Sequence, residues 1–312
     1  MSNVRVSLLT SAALLCLALS PASSAQAPAR GEVPLVDRTT PAGLDFAVTK
    51  NGIPNLASIE FAWLSEAADW MDPPAGTLGH GRIANDPDHP FLPNVEAIRL
   101  GRQPTLRIGN AKDPVLKPWA AAQMQESNDE VLTGKIDLPF AAQARCWPGG
   151  VPGQLLYPAE PFYFIQTPKV VYMIWQRDHM VRRIHMQDKH SANVKPDWFG
   201  ESIGHYEGSD TLVVDTIGLK AHKYSTIDNF RTPHTEKEHV VERFTIAPDG
   251  KGLTAVVMVE DPDTFNEPLH MMQKWRKVAN PLLETACAEN NNDALLLNQT
   301  LTPIPEAAKA DF

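Results

Sequence analysis

Apolar and polar residues alternate in short runs over the second half of the chain, which is the pattern of half-buried β-strands. Gly208-Ser209 and the segment 247–252 separate two pairs of these runs and predict tight hairpin turns. The predicted strands cover residues 162–166, 170–176, 180–186, 202–207, 211–217, 240–246, 253–259 and 271–278. Consecutive strands joined by short loops must pair antiparallel. The pattern therefore predicts a mainly β fold, an antiparallel barrel or sandwich of the lipocalin-like kind, with the barrel favoured.

The first half of the chain lacks this regularity. Residues 28–112 contain many closely spaced prolines, which exclude long helices. One short helix is predicted over residues 57–70, where apolar residues recur at helical spacing. We therefore predict that residues 28–112 form an irregular Pro-rich arm that packs outside the barrel or across its mouth.

A second helix is predicted to lead into the β domain, which we place at residues 113–312. Asp113 is a favoured N-cap residue, and Pro114 after it suits the first helical position. Leu116, Ala120 and Met124 then recur on one face and are expected to be buried.

Residues 1–27 have the layout of a secretory signal peptide. Arg5 supplies a positive charge, and residues 6–19 are mostly apolar. Ser23, Ala25 and Ala27 provide the small residues that signal peptidase accepts. The apolar run is shorter than the roughly 18–20 residues that cross a bilayer. We expect export to the periplasm or medium, without membrane insertion after cleavage.

Removal of this segment would leave two cysteines, Cys146 and Cys287, in a compartment where disulfides persist. A bridge between them would tie the middle of the chain to its C-terminal region. In the loop-entropy description such a long closure stabilises the fold by about 5 kcal/mol. We expect this bridge, and two unpaired buried thiols are the alternative.

Composition and motifs exclude several classes of function. Hydrophobic residues make up 43% of the chain and charged residues 21%, as in ordinary globular proteins. The net charge of −9 leaves no cationic excess for a nucleic-acid partner. The sequence also lacks a phosphate loop, G-x-G-x-x-G, G-x-S-x-G and H-E-x-x-H. We therefore expect no nucleotide or redox cofactor, with a divalent metal as a minor alternative.

Three charged residues share strand faces with apolar neighbours. Arg182, Asp215 and Glu242 each alternate with aliphatic or aromatic residues in their predicted strands. A lone buried charge costs several kcal/mol, so these groups must be paired or hydrated. The pattern leaves two interpretations open: a structural ion-pair network, or a wet polar pocket inside the barrel.

Histidines near strand ends favour the pocket interpretation. His205 ends one predicted strand, whereas His234 and His239 precede another, and carboxylates lie close to all three in sequence. Imidazole and carboxylate are the usual acid–base pair near neutral pH. The spacing of His234 and His239 matches no helical metal motif, and we predict no metal ligands. The candidate catalytic residues are Arg182, His205, Glu207, Asp215, His234 and Glu242, and the candidate substrate-binding residues are Trp175, Arg183, Tyr206 and His239.

These residues suggest two functions of different classes. The first is an exported enzyme that performs a lyase, isomerase or hydrolase step on a small, partly apolar organic molecule. The second is a lipocalin-like carrier whose buried charges are structural. Convergence of His205 and His234 on one cavity would favour catalysis.

Several segments resemble the signature of an uncharacterised family of exported bacterial proteins. The main block is W-F-G-E-S-I-G-H-Y-E-G-S-D-T-L-V-V-D-T-I-G over residues 198–218. Further blocks cover residues 146–152, 232–244, 259–262 and 287–290. The resemblance spans roughly residues 113–290 and implies no particular activity. The chain departs from the pattern at Ser209, where the signature turn reads Glu-Gly-Asp, so the departure affects a hairpin.

Overall fold

The computed structural model describes residues 49, 51–57, 61–102, 105–134, 142, 146–156, 161–223, 225–280 and 282–286. The predicted signal peptide and Cys287 lie outside the described residues. By its internal contacts the chain divides into residues 1–35 and residues 36–312, and every described residue belongs to the second unit.

Nine strands in the described part of the chain form a closed barrel in sequence order, with the last strand pairing back onto the first. The strands are β1 Phe61–Ser65, β2 Phe162–Gln166, β3 Val170–Trp175, β4 Val181–His185, β5 Glu201–Glu207, β6 Thr211–Ile217, β7 His239–Ile246, β8 Gly252–Glu260 and β9 Leu269–Ala279. This architecture confirms the predicted mainly β barrel. Two of the predicted strands, 162–166 and 211–217, match β2 and β6 residue for residue.

One pairing departs from the predicted antiparallel order. β4 and β5 run parallel, through Ile184 opposite Ser202 and His185 opposite Ile203. Parallel neighbours need a crossover of about a dozen residues or more, and the connection 186–200 is long enough to make one. The prediction of a purely antiparallel sheet is therefore wrong at this pair.

The predicted helix over residues 57–70 is also wrong, because its centre forms β1. Phe61 and Trp63 belong to the main core, whereas Ala62 and Leu64 pack against Tyr163 on the other face. The first four of the five β1 residues are all buried, so the strand lacks the alternation that identifies half-buried strands. The N-terminal arm thus contributes a barrel strand and does not lie wholly outside the barrel.

Two helices occur among the described residues, α1 Asn94–Leu100 and α2 Pro118–Leu132. α1 lies in the arm that we predicted to be irregular. α2 begins later than predicted, because the Asp113 carboxylate accepts a hydrogen bond from the Val115 N–H (3.0 Å) in a separate turn before the helix. Ala120 and Met124 are buried as expected. Neither helix has the length and apolar composition that a bilayer crossing requires.

Aromatic rings fill much of the barrel interior. The Phe162 ring lies 5.4 Å from Trp275 and 5.7 Å from Trp175, measured between centroids. Phe164 contacts Phe244 at 5.9 Å. These rings are buried and belong to one contiguous core. The barrel is therefore a packed scaffold in this region.

Cys146 is disulfide-bonded. Cys287, its expected partner, lies outside the described residues, so the pairing of these two cysteines stays a prediction.

Candidate functional site

Arg182 and Glu242 meet inside the barrel as a fully buried ion pair, with no exposed side-chain surface on either residue. Arg182 Nη1 donates to Glu242 Oε1 at 2.9 Å, and Nη2 donates to the other carboxylate oxygen. Arg182 also donates to the hydroxyls of Ser202 (3.0 Å) and Thr216 (2.8 Å). The sequence left two interpretations of the inward charges open, a structural ion-pair network and a wet polar pocket. For Arg182 and Glu242 the structure shows the ion-pair network.

Asp215 lies on the outer wall of the barrel, contrary to the prediction. The inward residues of β6 are Leu212, Val214 and Thr216, which are all fully buried, so the opposite set faces out. The Asp215 side chain belongs to this outward set and is 40% exposed. The apolar neighbours that suggested an inward face, Val213 and Ile217, share this outer side.

Asp215 instead joins a chain of carboxylates and imidazoles along the outer wall. Asp215 Oδ1 lies 3.0 Å from His190 Nε2 and 3.0 Å from His239 Nε2. The second nitrogen of His190 is 3.0 Å from Glu201 Oε1, and that of His239 is 3.6 Å from Glu260 Oε2. This chain links β5, β6, β7 and β8 to the crossover before β5, and it accounts for the predicted residues Asp215 and His239.

His205 and Glu207 also lie on the outer wall, near the end of β5. The His205 side chain is 60% exposed, and its Nε2 is 3.3 Å from Glu207 Oε1. Glu207 is in addition paired with Arg243, and this guanidinium is the largest cause that lowers the pKa of the Glu207 carboxyl. The pair is therefore part of a solvent-facing ion-pair group.

The predicted substrate-binding residues do not converge either. Trp175 is buried in the core and stacks on Phe199 at 6.2 Å. Arg183 is exposed on the face of β4 opposite Arg182. Tyr206 is half-buried, and its hydroxyl accepts a hydrogen bond from Gln166 Nε2 at 2.9 Å. Burial raises the pKa of the Tyr206 phenol, with the Gln166 contact opposing it.

His234 is the one predicted catalytic residue that lines a sizeable pocket. The pocket has a volume of about 480 Å³ and lies between α2 and the connection from β6 to β7. We call it the α2 pocket. Its lining residues are Trp119, Gln123, Glu126, Ser127, Glu130, Ala221, His222, Lys223, Ser225, Arg231, Pro233 and His234. His205 is not among them, so the expected convergence of His205 and His234 does not occur.

A backbone carbonyl and a buried carboxylate both lie next to Nδ1 of the His234 ring. His234 Nδ1 lies 2.8 Å from Glu238 Oε2 and 3.0 Å from the Thr235 carbonyl oxygen. Because a carbonyl only accepts, Nδ1 carries a hydrogen. The carboxylate beside His234 is therefore that of Glu238 on the same loop, whereas the candidate catalytic residue Glu242 is engaged with Arg182 inside the barrel.

His234 is an imidazolium at neutral pH. Burial acts to lower the pKa of His234, but the charge and contact of Glu238, the Thr235 carbonyl and the Asp261 charge raise it to about 9. Burial raises the pKa of Glu238, and the imidazolium opposes this. His234 Nε2 is buried and has no hydrogen-bond partner among the described residues. The site therefore contains a charged ring with one unused N–H.

Asp261 fixes the backbone beside His234. Its carboxylate accepts hydrogen bonds from the Thr235 N–H (2.6 Å) and hydroxyl (3.0 Å), and from the Thr264 hydroxyl (2.8 Å). The loop carrying His234 is thus attached to the segment that follows β8, and the ring position is supported by the barrel.

Arg231 occupies a second constrained position in the same loop. Its φ of 65° is left-handed, a conformation that costs free energy for a residue with a side chain. The buried Asp228 carboxylate stabilises this turn by accepting hydrogen bonds from the Phe230 N–H (2.9 Å) and the Thr232 N–H (3.1 Å). Arg231 Nη2 donates to Asn128 Oδ1 on α2 at 3.1 Å.

One polar face of α2 forms the other wall of the pocket. Gln123, Glu126, Ser127 and Glu130 recur at helical spacing along this face. At its N-terminal end, the Trp119 indole N–H donates to the Asp263 carbonyl oxygen at 2.6 Å, which fixes an indole that is 41% exposed. The pocket therefore has carboxylates on the helix wall and cations on the loop wall.

Most of this site was not predicted from the sequence. The candidate residues do not include Ser225, Arg231, Glu238 or His222. Two signals were present: the i, i+4 spacing of His234 and Glu238, and the polar stripe along α2.

Comparisons with known proteins add no functional assignment, because no family model and no curated protein matches the chain. Within the described residues, no three His, Cys, Asp or Glu side chains are placed to hold a metal ion. The absence of a cofactor and the family resemblance therefore both stay predictions from the sequence.

Proposed function

We propose that the protein is an exported enzyme that acts on a small organic molecule by acid–base chemistry in the α2 pocket. The observation that supports this is the state of His234: an imidazolium paired with Glu238, on a residue that lines the pocket and whose Nε2–H has no partner among the described residues. A positioned imidazolium next to bound substrate is a general acid.

The α2 wall supplies the complementary base. Glu126 and Glu130 line the same pocket as His234. A proton donor on one wall of a cavity and a carboxylate on the other can move a proton between two atoms of a bound substrate. His234 gives its Nε2 proton to one substrate atom, a carboxylate takes a proton from another, and exchange with water restores both groups. This serves a lyase, isomerase or hydrolase step.

A screen in D₂O tests this proposal. The full exported protein is incubated with a panel of small hydroxy acids, esters and uronic acids, and ¹H NMR follows conversion and deuterium incorporation. We expect at least one panel member to react, and His234→Gln to lower that rate about 10²- to 10⁴-fold. His185→Gln, a histidine change on the exposed side of β4, is the matched control and is expected to leave the rate unchanged.

Two outcomes would overturn the proposal. Binding of panel members without any conversion would favour the carrier function. Loss of the reaction in His205→Gln together with full activity in His234→Gln would move the chemistry to the outer wall.

A further inference from the structure

Arg231 lines the α2 pocket, and its guanidinium has buried donors without an acceptor among the described residues. Arg231 is 7% exposed, and its Nε and Nη1 atoms are buried without an acceptor among the described residues. Its third nitrogen is engaged with Asn128. Burial lowers the pKa of Arg231 while Asp228 and Glu130 raise it, and a guanidinium stays charged at neutral pH in any case. Buried charged donors without partners are costly, so this arrangement indicates a ligand that supplies the acceptors.

Two further residues that line the same pocket have buried polar atoms without a partner among the described residues. These atoms are the Ser225 hydroxyl and His234 Nε2, on residues that are 2% and 7% exposed. Arginine and imidazolium only donate, so they cannot satisfy each other. Unused N–H and O–H groups from three residues of one loop therefore match the several lone pairs of an oxyanion.

Charged side chains from both walls of the α2 pocket surround the buried donors of Arg231, Ser225 and His234. Asp228 is the nearest buried acid, but its oxygens accept from Phe230 and Thr232. Glu126 and Glu130 come from α2, and Lys223 adds a cation on the loop side. Arg231 therefore supplies the cation for an anion, although Glu130 of α2 is near enough to raise the pKa of the same guanidinium.

Flat rings border the pocket on both walls. Trp119 is half exposed on the helix side. On the loop side, the His222 ring lies 5.3 Å from Trp147 and 5.2 Å from Trp198. Burial together with Lys220 and Lys223 lowers the pKa of His222, so this ring is neutral, and it lines the loop wall of the pocket next to its two indole neighbours. Aromatic faces combined with amide, hydroxyl and carboxylate groups suit a hydroxylated ring better than an aliphatic chain.

We infer that the α2 pocket binds a cyclic hydroxylated organic acid of the uronic-acid type, with its acid group on Arg231, Ser225 and His234 and its ring between Trp119 and His222. This inference rests on the proposed function in one respect: the ligand is a substrate only if the pocket is catalytic. Binding of the acid group itself requires no catalysis.

Calorimetry with three probes tests the inference on the full exported protein: D-glucuronate, D-glucose and benzoate. We expect glucuronate to bind more tightly than either other probe. Arg231→Gln is expected to weaken glucuronate binding at least about tenfold, and Ser225→Ala to weaken it by a smaller factor. Arg243→Gln, the same change at an exposed arginine outside the pocket, is expected to leave binding unchanged.

Thermal unfolding of the free variants separates loss of binding from loss of folding. If Arg231→Gln does not fold, Ser225→Ala and Arg231→Lys carry the test. Equal affinity for glucuronate and glucose, tighter binding of benzoate, or no glucuronate binding would each overturn the inference. Glucuronate binding without turnover would instead overturn the proposed enzyme while the anion site stands.

Discussion

At the scale of single residues, the buried Arg182–Glu242 pair makes the barrel interior sensitive to the loss of either charge alone. Glu242→Gln leaves the Arg182 charge buried without its counterion, and we expect the free energy of unfolding to fall by about 3–5 kcal/mol. Urea unfolding measures this change. Arg182→Met combined with Glu242→Leu removes both charges and is expected to cost less than the single change.

The exposed pair of Arg243 and Glu207 provides the control for that prediction. Arg243→Ala removes an ion pair that is nearly half exposed on both sides, so we expect a change below about 1 kcal/mol. Equal losses in Glu242→Gln and Arg243→Ala would contradict the structural role of the buried pair.

The pKa of His234 predicts a loss of stability at alkaline pH. Its pKa rises from 6.5 in the unfolded chain to about 9 in the folded protein. A raised pKa contributes stability that is fully present below pH 6.5 and is lost as the pH rises through 9. We expect a loss on the order of 3 kcal/mol between pH 7 and pH 10 in urea unfolding.

The His234 ring protons, followed by NMR, identify the group responsible for this loss. Their titration midpoint should lie near pH 9 in the native protein and move to lower pH in Glu238→Gln, because Glu238 supplies the main charge that raises this pKa. A midpoint that stays near that of a free imidazole would contradict the ion pair.

At the scale of elements, the α2 pocket depends on the packing of a short 3-10 helix, Gly153–Leu156, against the loop that carries Ser225. A Cβ atom at Gly153 would lie 2.1 Å from the Thr226 carbonyl oxygen, which is backbone and cannot turn aside. Gly153→Ala should therefore displace the loop, lower the unfolding free energy by about 1–3 kcal/mol and weaken glucuronate binding.

Gly81→Ala is the matched control for this change. A Cβ atom there meets only Pro73 at 3.9 Å, an ordinary contact, so we expect a change within about 0.5 kcal/mol and normal binding. Normal ligand affinity in Gly153→Ala would show that this packing does not support the pocket.

The strands could be predicted wherever a turn and a half-buried face mark them. The eight strands from β2 to β9 were identified to within about two residues at each end, since alternation and turn residues agree there. β1 could not be identified, because burial on both faces removes the alternation. The start of α2 was misplaced, because the Asp113 carboxylate caps a turn and the helix begins at Pro118.

The site was harder to predict than the fold. The alternation of side chains along the strands correctly placed Arg182 and Glu242 on the inward face. It placed Asp215 on the wrong face, because Val213 on the outer side is also buried. His234 was identified, whereas Arg231 and Ser225 belong to an irregular loop that has no periodicity. Tertiary packing brings Arg231 and Ser225 next to α2, and no local pattern in the sequence indicates this packing.

At the scale of the whole molecule, the barrel acts as support, and the proposed chemistry lies beside it. The interior of the barrel is occupied by rings and by the buried ion pair, whereas the α2 pocket is built from a helix and a long connection fixed to strand ends. Loops on a rigid scaffold commonly carry binding groups. This separation explains why inward-facing charges were a poor guide to the pocket.

The pairing of β1 with β2 and β9, which closes the barrel, leads to a final prediction. β1 pairs with β9 over five residues but contacts β2 through a single register pair, Trp63 with Phe162. Cys146 precedes β2 and Cys287 follows β9, so a bridge between them would hold the two neighbours of β1 together. We expect non-reducing peptide mapping to join these cysteines, and Cys146→Ala with Cys287→Ala to lower stability by up to about 5 kcal/mol. A bridge from Cys146 to any cysteine other than Cys287 would contradict this prediction.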